Sequence, residues 1–112
     1  MDNQSVIAAL AALAQASRLA VFRLLVQAGP EGMAATKIAG QLAIPPSSLS
    51  FHLKELTHAA LVTQTKAGRS LIYAANFATM NGLLGFLTEN CCGGNACTPV
   101  RIATCSSEGA CS

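Results

Sequence analysis

Apolar residues recur three and four positions apart over residues 5–15 and again over about 17–28, where Leu19, Phe22, Leu25 and Val26 mark one face. That spacing predicts two amphipathic helices, the second with Ser17 available as its N-cap. The stretch "GPEGM" then breaks the pattern, because Gly29, Pro30 and Gly32 do not comfortably continue a helix. In "AATKIAGQLAI" Ile38 and Leu42 stand four apart, and after "PPSS" the segment "LSFHLKELTHAALV" carries an apolar stripe through Leu49, Leu53 and Leu56. Two short helices joined by a tight polar turn, the second opening at a proline and serine cluster, form the helix-turn-helix pattern.

Beyond Leu61 the period shortens to two. Val62, Gln64 and Lys66 alternate with Thr63 and Thr65, Ala67-Gly68 follows, and then Leu71, Ile72 and Tyr73. This predicts a β-hairpin turning at the glycine, set like a wing behind the second helix of the motif. Residues 77–90 return to helical spacing through Phe77, Met80, Leu83, Leu84 and Leu87. The predicted fold is mainly α with a small β-hairpin: a winged helix-turn-helix of about five helices and a two-stranded wing. Past Asn90 the chain turns to Gly, Ser, Thr, Ala and Cys with little to bury. Residues 1–90 therefore read as one folded domain and 91–112 as a loose, cysteine-rich tail.

Composition sharpens this reading. With 52% hydrophobic and 11% charged residues in a chain of 112, one small core leaves apolar surface over, and a homo-oligomer is expected. The net charge of +2 divides as −1 over residues 1–16, +4 over 17–75 and −1 over 76–112. A modestly basic middle is compatible with nucleic acid without demanding it. The opening "MDNQSVIAALAALAQA" imitates a secretory signal in its apolar run and A-x-A ending, yet it carries Asp2 and no Lys or Arg, so it is read as an amphipathic helix. The uncharged run from 70 to 88 is interrupted by Asn76, Asn81 and Gly82 and makes a poor membrane span. A cytoplasmic location away from membranes follows as the expectation.

A helix that enters the major groove must offer short polar and basic groups opposite its core stripe. Ser47, Ser48, Ser50, His52 and Lys54 meet that requirement, with Lys37 on the preceding helix. Lys66 and Arg69 flank the hairpin turn, where they suit phosphate or the minor groove. Plainer readings stand beside these: Ser47 as a helix cap, Lys54 as a solvated charge, and His58, near the helix end, as a structural residue.

All five cysteines lie between residues 91 and 111. In a reducing compartment such clusters bind metal or sense redox state more often than they staple a fold. Enzyme signals are thin: there is no phosphate-cradling loop and no paired carboxylates, and His52 and His58 lie far along the chain from the thiols. Neither catalysis nor an organic cofactor is expected.

Taken together, "ASRLAVFRLL", "KIAGQLAIPPSSLSFHLKELTHAALV" and "KAGRSLIYAAN" resemble the ArsR/SmtB family of winged-helix metal- and metalloid-responsive repressors over residues of about 5–90. The resemblance implies a homodimer packed through its first and last helices, bound to a palindromic double-stranded operator and released by an effector, with no further protein partner. Two departures stand out. Ala60 precedes Leu61 where much of the family has glycine, a mild change by sequence alone. The helix "GMAATKIAGQL" contains no cysteine, whereas the founding arsenic repressors carry a Cys-x-Cys pair there. Their metalloid site does not carry over.

The tail instead resembles that of arsenic repressors whose site has moved beyond the last helix. The resemblance implies Cys91, Cys92 and Cys97 as ligands, with Cys105 and Cys111 as spares or alternative third ligands. A pyramidal arsenite (As(III)) or antimonite (Sb(III)) centre is soft and takes three thiolates, and Gly93 and Gly94 let the chain fold back. Competing readings are zinc, cadmium or lead at the same cysteines, a redox switch, a thiol-based trafficking protein, and incidental cysteines.

Overall fold

In the computed structural model, residues 1–89 are described, and these carry five helices and three short strands. Helix α1 (Asn3–Leu13) opens at Asp2, whose carboxylate accepts the Ser5 backbone N–H at 2.9 Å. Val6, Ala9 and Ala12 form its buried face, as an amphipathic reading requires. Helix α2 (Ala16–Ala28) turns sharply away from α1, at 103°. Its N-cap is Gln15 rather than the expected Ser17: the Gln15 side chain accepts the Arg18 N–H at 2.8 Å. The Arg18 guanidinium reaches back to the Ala12 carbonyl at 2.7 Å and ties the corner, with the cap two residues earlier than Ser17.

After Gly29 (φ 84) closes α2, the chain forms β1 (Met33–Ala34), a short strand that the pattern alone did not predict. Gly32 makes it possible. Its φ is 73°, and a Cβ there would be driven into the Tyr73 carbonyl oxygen. Helices α3 (Ala35–Leu42) and α4 (Pro46–His58) follow, then β2 (Val62–Ala67), β3 (Ser70–Ala75) and α5 (Phe77–Leu87). The sheet is antiparallel in the order β1-β3-β2, so the two-stranded wing gains a third strand at its base. Ala67 pairs with Ser70 around Gly68 (φ 63) and Arg69. A positive φ at the first loop position only is the type II′ pattern, in which glycine leads.

The core sits where α2, α3 and α4 meet the base of the sheet. Val21, Leu25, Ile38, Leu49, Leu53, Leu56 and Leu61 are all but fully enclosed there, and among the described residues no polar side chain is buried with them. Helix α4 touches α1, α2, α3 and β2, whereas α5 packs chiefly on α1.

The end of α4 gives the Ala60 departure a physical meaning. The Ala60 N–H donates to Thr57 O and the Leu61 N–H to Leu56 O, each at 3.0 Å. This is a Schellman closure, with buried Leu61 against buried Leu56. Ala60 therefore takes φ 63, a left-handed conformation that favours glycine. Ala43 (φ 54) does the same where α3 ends inside the helix-turn-helix. No single helix among the described residues is long and apolar enough to cross a membrane.

Candidate nucleic-acid interface

The buried stripe of α4, at Leu49, Leu53 and Leu56, fixes what the opposite side shows to solvent. Ser47, Phe51 and Lys54 follow one another at steps of four and three, so they line up along the exposed face. Ser50 beside them and Ser48 at the helix start are exposed as well. From Ser47 to Lys54, the exposed face of α4 thus presents three hydroxyls, one ammonium and one aromatic ring.

Its first turn is open. Asp2, Gln15 and Asn76 cap α1, α2 and α5 with side-chain oxygens, but α4 starts at Pro45-Pro46 with no side-chain cap. The Ser47 and Ser48 backbone N–H groups precede the first intrahelical bond, Leu49 N–H to Pro45 O at 2.9 Å. Ser47 does not cap the helix, and its side chain is exposed. Free N–H groups at the positive end of a helix suit a phosphate.

His52 lies elsewhere. It is half-buried on the flank of α4, with Nδ1 enclosed and without a hydrogen-bond partner among the described residues. Its ring meets the Phe51 ring edge-on, with centroids 6.0 Å apart and an interplanar angle of 62°. His58 is exposed but stands beside α1, lining a cleft with Ser5, Ala8 and Thr79. Lys37, Lys66 and Arg69 are all exposed, Lys37 on α3 and the other two at the wing. From Thr63 to Arg69 every residue is exposed, so the tip of the hairpin stands clear of the body.

Residues 13–65 match a family model described as a helix-turn-helix domain. Among solved structures, the ArsR-like transcriptional regulator from Rhodococcus sp. RHA1 is 26% identical, with 75% of this chain and 76% of that one covered at a TM-score of 0.67. The chain is similar in sequence and fold to ArsR-like winged helix-turn-helix regulators. A possible transcriptional regulator for arsenical resistance is 27% identical, covering 70% of this chain and 78% of that one at a TM-score of 0.61. The homodimeric winged helix-turn-helix domain of Mb0332 from Mycobacterium bovis, a possible ArsR-family transcriptional regulator, shares the fold at 22% identity, covering 84% and 87% at a TM-score of 0.62. A comparison with curated proteins finds no match.

In ArsR-family terms, α3 and α4 are the helix-turn-helix and β2–β3 the wing, as the sequence pattern expects. Sequence reading overlooked Phe51, and the signal was present: its four-and-three spacing with Ser47 and Lys54 runs opposite the leucine stripe. Cys91, Cys92, Cys97, Cys105 and Cys111 lie outside the described residues. Among the described residues, no three His, Cys, Asp or Glu side chains come together in a way that would hold a metal ion.

Proposed function

We propose that the chain is an ArsR-family transcriptional regulator, a cytoplasmic homodimeric repressor of an arsenic-resistance operon, released from its operator by trivalent arsenic or antimony. The observation that carries the DNA half is the uncapped, polar first half of α4 beside a projecting basic wing. Ser47, Ser48 and Ser50 contact phosphates and base edges, Lys54 and Lys37 add positive charge, and Lys66 and Arg69 hold the backbone from the wing. His52, set on the flank, orients its neighbours rather than reading bases.

Dimerisation through α1 and α5 completes the reading. Ile7, Leu10 and Leu87 expose 64%, 42% and 56% of their surface on these two packed helices. A palindromic operator requires two recognition helices at fixed separation. A homodimeric neighbour of the same fold supports a homodimer.

The effector half rests on the order of residues along the chain. Cys91 stands four positions beyond the end of α5 at Leu87, and the three thiolates of Cys91, Cys92 and Cys97 within seven residues match the donor preference of a soft pyramidal centre. The domain formed by 1–90 then carries DNA and partner, and 91–112 carries the effector. Binding beyond α5 favours a dimer geometry that misplaces the two α4 helices, and by linkage the DNA-free form binds effector more tightly by the same factor.

Anisotropy of a duplex taken from upstream of the chain's own gene tests both halves. Micromolar arsenite should release reduced protein while zinc and cadmium do not, and Cys91→Ser or Cys92→Ser should keep DNA affinity but abolish release. Release unaltered in both variants overturns the site. Release by zinc or cadmium alone reassigns the effector to a thiophilic metal.

A further inference from the structure

Phe51 is 56% exposed, whereas the three leucines on the opposite side of the same helix are at 2% or below. A lone exposed apolar side chain on a surface needs no explanation. Its setting is what distinguishes this one. Phe51 stands between Ser47 and Lys54, next to Ser50, on the N-terminal half of the second helix of a helix-turn-helix. That half of the helix is the part that meets base edges in the major groove. Every other exposed group on the strip is a hydrogen-bonding or charged one, and such groups read the polar edges of bases.

The major groove offers one apolar feature as well, the C5-methyl group of thymine, and a phenylalanine ring is a side chain suited to it. His52 meets the ring edge-on from a half-buried seat, with centroids 6.0 Å apart. We propose that Phe51 is a specificity-determining residue that recognises the C5-methyl group of one thymine in each operator half-site. The assignment rests on DNA binding through α4 and goes further by naming the base and the atom that is read.

Uracil differs from thymine by that methyl alone, so the test removes one group at a time. A duplex selected from a random pool by the full wild-type chain has its thymines replaced by deoxyuridine in symmetric pairs. Anisotropy at fixed salt then compares wild type with Phe51→Ala and Phe51→Leu. Burial of one methyl-sized group predicts a loss of about fourfold per half-site, or about 15-fold for the pair, at a single symmetric position. Phe51→Ala should be indifferent to uracil at that position, and Phe51→Leu should lie between. Because Phe51 is exposed, neither variant is expected to disturb the fold, and matching thermal transitions verify this. Salt-dependent binding with no uracil-sensitive position, or with the same sensitivity in Phe51→Ala, overturns this assignment alone. Failure of the wild-type chain to bind any duplex in a salt-dependent manner overturns DNA binding through α4 and the assignment with it.

Discussion

Helices α4 and α5 differ in apolar content, and they put it to opposite uses. Helix α4 spends Leu49, Leu53 and Leu56 on the core, where each is at 2% exposure or less, and turns a polar face outward. Helix α5 carries Phe77, Met80, Leu83, Leu84, Phe86 and Leu87, yet only Leu83 is buried. Position widens the difference in composition: α4 is surrounded by three helices and a strand, while the more apolar α5 leans chiefly on α1. Within one chain, α4 is complete and α5 is not. Apolar surface left over on a terminal helix is what a second copy would cover.

The largest effect that distinguishes the two helices is expected from Leu53→Ala and Leu87→Glu. Leu53→Ala opens a cavity in the core and should lower the unfolding free energy by about 3 kcal/mol in urea titrations. Leu87→Glu should leave the monomer folded and shift the sedimentation profile from dimer towards monomer. A Leu87→Glu chain that stays dimeric would move the interface away from α5.

Their C-terminal ends differ too. Helix α4 closes through left-handed Ala60, whereas α5 stops at Thr88 with φ −103. Ala60→Gly should relieve that strain and raise stability by about 1 kcal/mol, seen as a rise of about 4–8 °C in melting temperature. The corresponding change at Thr88 has no such strain to relieve.

The smallest effect concerns the N-terminal ends of α1 and α5, capped by an acid and an amide respectively. Hydrogen bonding from Ser5, through its side chain first and its backbone N–H second, holds the Asp2 carboxyl below its ordinary value. A depressed folded pKa contributes stability above the unfolded pKa, and that contribution is lost as pH falls through the folded value. The α1 cap should therefore hold in mild acid and weaken only as pH falls below the ordinary Asp value of 3.8, while the Asn76 cap of α5 stays unchanged. Amide exchange at Ser5 and Thr79 followed from neutral to acid pH, corrected for the intrinsic rate, reports each cap separately. Equal behaviour at both positions would remove the distinction.

Much of this molecule was legible along the chain. The leucine stripe of α4, the period change at Val62 and the turn at Gly68 are local signals, since each depends only on side-chain spacing and on the backbone freedom of one glycine. The cysteine positions and the basic middle were equally open to reading. Other features were not, because they depend on what a residue meets across the fold. Gln15 rather than Ser17 caps α2 because Arg18 ties the corner to Ala12. Strand β1 exists because Gly32 lets the chain approach Tyr73. Ala60 looks like a mild departure in sequence and becomes a strained one only when α4 closes over Leu61.

What the sequence determined by itself was the order and type of the elements, because hydrophobic periodicity records which face of each element must leave water. What tertiary structure alone decided was how those elements close on one another. The Arg18 side chain reaches the Ala12 carbonyl across the corner between α1 and α2, and Gly32 lies against the Tyr73 carbonyl on a strand far along the chain. Each depends on a group met across the fold, a relation that spacing along the chain does not record and that exists only after the elements have docked.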